Sequence, residues 1–444
     1  MLKLEYLAAH FKKNWTHRHY EENLPFISVG ILAAVVCSLY AILFATVEHF
    51  SVAFFTHNPL LMFFFSPLML VVSFLLVRRF APGSSGSGIP QVLACIDKSH
   101  RHLSSLFLRK SVITIKMLSS LAAIFAGAAI GREGPSLQIS AAIANNVGQL
   151  FQKFNIKIKM DQLIVTGAAG GLAAAFNTPI GGIVYAIEEL SQDHIRSFKD
   201  VLLISVVISG LTAQLITGNY LYLGVPEVLN QIGLSNFCII ALVSLVAGIL
   251  GALFSKSLIY LIVWRSKKTL GMQILIVLGV GLLVAASFYF LDPRAVYSGK
   301  ESINHILFSK GVVPFHEFGA RFLLPLFSSM TGIAGGIFAP SLSAGASFGG
   351  FVSTFFDPSL RTILGISGMV GFLTGVTRTP ITSFVLVLEM TNRHSAVFPM
   401  ILASVLSTLG AYLVSDKSFY EESLELIKEQ DLASRKDSVQ EKLA

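Results

Sequence analysis

Charge is what this chain has least of: 33 Lys and Arg and 25 Asp and Glu among 444 residues, 13% charged against 53% hydrophobic. That is about half the charged fraction of a soluble globular domain, which excludes an ordinary water-facing surface. Several stretches, among them 26–47, 51–77, 201–226, 232–255, 270–291, 322–356 and 394–415, hold no Asp, Glu, Lys or Arg. Each exceeds the roughly 20 residues a helix needs to cross a bilayer. The fold class that follows is an all-α polytopic membrane protein, because lipid leaves a backbone no other partners than its own.

Cysteine is also scarce. Cys37, Cys95 and Cys238 lie far apart, in or beside apolar runs, so neither a disulfide framework nor metal-ligand spacing follows, and buried inert thiols are expected. No metal or cofactor is called for. A cleavable signal peptide is missing as well: the first 25 residues are polar and mixed in charge, and the first apolar run is too long for a signal core. Lys3, Lys12, Lys13 and Arg18 precede that run and place the N-terminus in the cytoplasm. Residues 2–11 have the pattern of a helix lying on the membrane surface. Basic cytoplasmic loops account for the net charge of +8 without nucleic acid. After residue 415 only a short helix over 419–429 and a charged end are expected, so function is sought within the membrane part.

Glycine and proline are where the information lies. Gly131-Arg132-Glu133-Gly134-Pro135-Ser136-Leu137 puts a carboxylate inside a long apolar stretch, where charge is costly and points to ion handling. Its frame returns without the charge: Gly127, Gly131, Pro135, Ser136 and Leu137 are matched, 205 residues on, by Gly332, Gly336, Pro340, Ser341 and Leu342. A second pair agrees. Thr178-Pro179-Ile180 is followed nine residues after its proline by Glu188, and Thr379-Pro380-Ile381 likewise by Glu389, an offset of 201. Two matches in the same order establish a duplication, and such halves commonly build a shared site at the bilayer midplane.

Three apolar stretches are interrupted by glycine and resume behind proline: Gly83–Pro90, Gly131–Pro135 and Gly335–Pro340. Proline belongs in the first turn of a helix, so each motif predicts a glycine loop feeding a helix N-terminus. The first N–H groups of a helix are unpaired and its dipole is positive there. Several such ends converging in a membrane would hold an anion, with Ser87 adding a hydroxyl donor. Close helix packing is the competing explanation for any one of these glycine loops. Gly86-Ser87-Gly88 is not a nucleotide loop, since no Gly-Lys-Ser/Thr follows. A hydrolase using Ser87 would need a membrane-embedded base, for which Lys116 is the only obvious candidate.

Gly86-Ser87-Gly88-Ile89-Pro90, Gly131-Arg132-Glu133-Gly134-Pro135 and Gly336-Ile337-Phe338-Ala339-Pro340 resemble the three signature motifs of the CLC chloride channel and transporter family, intact and in order. The resemblance runs from about Phe26 to the tail. It implies two inverted repeats of broken, tilted helices: a cytoplasmic segment 1–25, a first repeat 26–216, a second 217–415, and a helix with a short tail at 416–444. It implies a homodimer with one anion pathway per subunit, in a lipid bilayer and by the natural guess a bacterial inner membrane, with both termini cytoplasmic. Ser87 and Tyr420 would give hydroxyls, and Ile337 and Phe338 backbone N–H groups, to a chloride ion. Gly86, Gly88, Gly131, Gly134 and Gly336 would form the anion loops. Glu133 would be the gating glutamate, and Glu189 the internal acid that passes protons. Serine at position 87 resembles the chloride type of motif rather than the nitrate type. The activity implied is exchange of chloride for protons. The alternative is a passive chloride channel, whose members often lack an acid at the Glu189 position. Arg132 either faces the pore or anchors its loop.

Overall fold

The computed structural model describes residues 17–443 except 191–198, 219–220, 229–232 and 310, with side chains from 23 to 435. The segment 2–11 lies outside the described residues. Its elements are α1 (His17–His57), α2 (Met62–Phe80), α3 (Ile89–Ile96), α4 (Ser104–Phe107), α5 (Lys110–Phe125), α6 (Glu133–Lys153), α7 (Met160–Phe176) and α8 (Pro179–Tyr185). A π-helical turn, Ala186–Leu190, extends α8. Then come α9 (Lys199–Thr217), α10 (Leu234–Ser266), α11 (Leu270–Phe290), α12 (Lys300–Phe308), α13 (Phe315–Met330), α14 (Phe338–Ser353), α15 (Arg361–Thr377), α16 (Pro380–Thr391), α17 (Val397–Tyr412) and α18 (Phe419–Leu443).

Among the described residues seven helices are long and apolar enough to cross a membrane: Asn23–His57, Pro59–Phe80, Lys199–Thr217, Leu234–Ser266, Leu270–Phe290, Pro358–Thr377 and His394–Tyr412. The charge-free stretch 322–356 is not among them. It breaks at 331–337 into α13 and α14, both largely buried. In its place stands Pro358–Thr377, whose window is 94% buried in protein. The stretch 51–77 is also broken, because Asn58 precedes Pro59 and is driven out of helical geometry, at φ −136° and ψ 70°. Cys37 and Cys95 are buried as expected, but Cys238 is exposed on α10. An apolar run does not imply burial in protein when lipid can cover its outer face.

Small residues let some core helices touch closely. A Cβ on Gly345 would strike the carbonyl of Gly368, so α14 and α15 touch backbone to backbone. Such contact is how helices gain van der Waals energy where no water drives association.

The duplicated positions share their backbone geometry. Gly127 and Gly332 both have φ +82°. α7 ends on left-handed Asn177 (φ 56°) and α15 on left-handed Arg378 (φ 59°), each followed by a non-helical threonine (φ −126°, ψ 78° and φ −114°, ψ 76°) and a helix-starting proline. Equivalent residues also bond to each other. Gly131 N–H donates to the Gly336 carbonyl at 2.7 Å, and Gly336 N–H returns a bond of 2.7 Å to Gly131. The Glu188 carboxylate accepts from Ile381 N–H (3.1 Å) and Thr382 N–H (2.7 Å) at the start of α16. Glu389 accepts from Ile180 N–H (3.1 Å) and Gly181 N–H (2.6 Å) at the start of α8. Reciprocal contacts of this kind are what a local two-fold relation generates. Glu389 and Glu188 thus each cap a helix of the other half.

Candidate functional site

Three helices begin where glycine and proline predict: α3 at Ile89, α6 at Glu133 and α14 at Phe338, with N-caps Gly88, Arg132 and Ile337. None of the three has a side-chain cap, so their first-turn amides keep their donor capacity. The preceding loops are stitched together. Gly86 N–H donates to Ile333 (2.9 Å), Gly335 N–H donates to Gly86 (3.1 Å), and Gly131 and Gly336 exchange the bonds given above. The positive ends of three helices therefore lie around one locus, two of them from opposite copies of the duplication.

Ser87 is 7% exposed and Tyr420 is fully buried, and neither hydroxyl oxygen has a hydrogen-bond partner among the described residues. The two hydroxyls face each other without closing a bond. A buried hydroxyl left unpaired costs about 1–3 kcal/mol, which a ligand at that point would recover. The Tyr420 ring stacks on Phe338, with centroids 6.2 Å apart and planes 20° apart. Its position follows from a capping box: Ser418 Oγ accepts from Glu421 N–H (3.0 Å) and Glu421 accepts from Ser418 N–H (2.8 Å), starting α18 at Phe419. That helix runs to Leu443, well beyond the expected 419–429.

Glu133 is 1% exposed. Its carboxylate folds back over Gly131 and lies beside the Ala339 side chain, in the first turn of α14. The amides of Glu133 and Ala339 face it without completing hydrogen bonds. Two glycines make room. A Cβ on Gly131 would overlap the Glu133 carboxylate, and one on Gly134 would overlap the Ser87 hydroxyl and sit 2.8 Å from its carbonyl oxygen. Arg132 anchors its loop by donating to Ala41 (2.5 Å) and Ala175 (3.5 Å), and with Glu133, Glu48 and Lys300 it also lines a cavity of about 30 Å³. Lys116, fully buried, donates from Nζ to Ser84 (3.2 Å) and Gly86 (2.9 Å), beneath the Ser87 loop. Its bonds go to those carbonyls and none joins it to the Ser87 hydroxyl.

Glu189 lies in the π-turn, 8% exposed, with Glu421 and Glu188 as its charged neighbours and no cation paired with it among the described residues. Sequence reasoning missed Tyr185. Its hydroxyl is fully buried without a partner, and its ring packs edge-on against Phe338 at 5.8 Å. Its one signal was its place a helical turn before Glu189. Among the described residues no cluster of His, Cys, Asp and Glu is arranged to hold a metal.

Residues 68–412 match the family model described as "Voltage gated chloride channel". The chain is 31% identical over 390 residues to the H(+)/Cl(-) exchange transporter ClcA of Cronobacter sakazakii, covering 81% of this chain and 78% of that protein. It is 29% identical over 385 residues to ClcA of Vibrio cholerae, covering 82% and 78%. Among solved structures, a slow cyanobacterial Cl-/H+ antiporter superposes with a TM-score of 0.81 at 23% identity, over 92% of this chain and 98% of that one. A CLC-type fluoride/proton antiporter superposes with a TM-score of 0.73 at 18% identity, over 90% and 96%. The extent of the family match, over the segment that carries the starts of α3, α6 and α14, makes this chain a member of the voltage-gated chloride channel family, the CLC proteins.

Proposed function

We propose that this chain exchanges chloride for protons across a membrane, with Glu133 and chloride competing for one set of helix N-termini. The observation that carries the reading is the Glu133 carboxylate seated against the first turn of α14, while two buried hydroxyls, Ser87 and Tyr420, stand unpaired beside it. A carboxylate is a tethered anion. Ionised, it occupies electropositive ground that chloride also seeks; protonated, it gives up that attraction and chloride takes its place. Ser87, Tyr420 and the amides of Ile337 and Phe338 coordinate the ion on this reading. Gly86, Gly88, Gly131, Gly134 and Gly336 let the backbones approach it.

Glu189 supplies protons from the side opposite Glu133, so the two ions share Glu133 but approach it by separate routes. The burial of Glu189 without a cation supports a group that changes protonation, since a fixed buried charge would be expected to have a partner. The reciprocal bonds between halves support inverted repeats at 26–216 and 217–415, with one pathway in each subunit of a homodimer.

Purified protein in liposomes with an outward chloride gradient tests the exchange. Proton movement against its own gradient, driven by chloride leaving, is the expected result. Chloride release with no proton movement would instead support a passive pore and overturn exchange.

A further inference from the structure

We propose that the Tyr185 hydroxyl relays protons between Glu189 and the anion site, an assignment that rests on the exchange reading above. Tyr185 ends α8, directly before the π-turn that carries Glu189. It is 0% exposed, and its hydroxyl has no hydrogen-bond partner among the described residues. Phenylalanine would fill the same space without leaving an unpaired donor in the interior, which costs about 1–3 kcal/mol. The hydroxyl is therefore not explained by packing.

Its surroundings give it a use. The Tyr185 ring meets Phe338 edge-on at 5.8 Å, and Tyr420 stacks on Phe338 at 6.2 Å. Phe338 thus sits between two phenols. Glu189 and Tyr420 are the ionisable groups near Tyr185, and Tyr420 in turn faces Ser87 and Glu133. Tyr185 thus stands between the turn that carries the inner acid and the ring that Tyr420 stacks on.

A phenol accepts and donates in the same moment. In the relay, protonated Glu189 gives its proton to the Tyr185 oxygen while the phenol releases its own O–H proton to a water on the anion-site side. That water passes a proton on to the Glu133 carboxylate. Glu189 is left ionised, Glu133 neutral and Tyr185 a neutral phenol as before. One proton has moved and no group has changed its composition. The reverse sequence serves the opposite half-cycle.

Tyr185→Phe removes one oxygen and keeps the ring. Chloride and proton fluxes are measured in parallel from liposomes, with the reversal potential giving the ratio of the two ions. Wild type is expected to move protons uphill. The variant is expected to keep chloride flux within about twofold while proton flux falls by roughly tenfold or more, as loss of a positioned acid–base group does. A wild-type ratio in the variant would overturn the relay and leave exchange standing. Equal loss of both fluxes would overturn it too, by showing that the hydroxyl serves the anion path or the fold. Wild type without uphill proton movement would overturn the exchange reading, and the relay with it.

Discussion

Glu133 owes its position to neighbours that have no side chains. Gly131 lets the carboxylate fold back, and Gly134 lets the Ser87 hydroxyl approach the same turn. Two substitutions separate these roles. Glu133→Gln keeps the shape and removes the charge, so proton movement in liposomes is expected to vanish while chloride still passes. Gly134→Ala forces a methyl group onto Ser87, and overpacking of this kind costs about 1–3 kcal/mol. Calorimetry should show weaker chloride binding in that variant, with Glu133 chemistry otherwise intact; unchanged affinity would mean Ser87 does not hold the ion. Tyr185 shows what a sequence conceals at this level. An aromatic residue in an apolar run carries no sign of whether its hydroxyl will find a partner, because that depends on Phe338 and Tyr420, far away in the chain.

Helix ends, rather than helix faces, organise the interior. α8 and α16 are each capped by a glutamate from the other half, so Glu188 and Glu389 tie the duplicated parts together. Removing either leaves one part-buried N–H (Thr382 or Gly181) and one on an exposed residue (Ile381 or Ile180) unpaired, a loss of about 1–3 kcal/mol for a group fully deprived of water. Glu188→Ala should lower thermal stability in detergent more than Glu389→Ala, because Glu188 also accepts from the Thr382 hydroxyl at 2.7 Å. Equal losses would contradict the added weight of the Thr382 hydroxyl, and no loss from either would contradict the reciprocal role itself. α18 is tied down outside the membrane spans. Lys428 Nζ lies 2.6 Å from Asp97, and this ammonium, followed by the Ser99 amide, holds the Asp97 carboxyl below its ordinary value despite partial burial. A lowered carboxyl contributes stability above its unfolded pKa and loses it as pH falls through the lowered folded value. Spin-label distances from α18 to the loop after α3 should therefore hold from pH 7 to pH 5 and widen only below about pH 4. Widening near neutral pH would contradict this ion pair as the tie.

The outline of the molecule was open to reading because glycine and proline mark breaks by backbone geometry alone. α3, α6, α14, α8 and α16 all begin at such marks. The crossing at Pro358–Thr377 was not legible, since Arg361 and Arg378 trim its charge-free run to 362–377, below the length of a bilayer. Cys238 was misread because lipid and protein interior select the same apolar residues. The reach of α18 to Leu443 was hidden by its polar composition, which gives no apolar stripe to follow. The juxtaposition of the two halves was legible only as a repeat; that Gly131 and Gly336 bond to each other required the fold.

At the centre of the account is competition between one carboxylate and a halide for the same electropositive backbone. Bromide, located by its anomalous scattering in crystals of wild type and of Glu133→Gln, tests that competition directly. The account predicts bromide between Ser87 and Tyr420 in both, and in the variant a further bromide against the first turn of α14, where the wild-type carboxylate lies. A variant with the side chain displaced and no halide in the vacated place would contradict it.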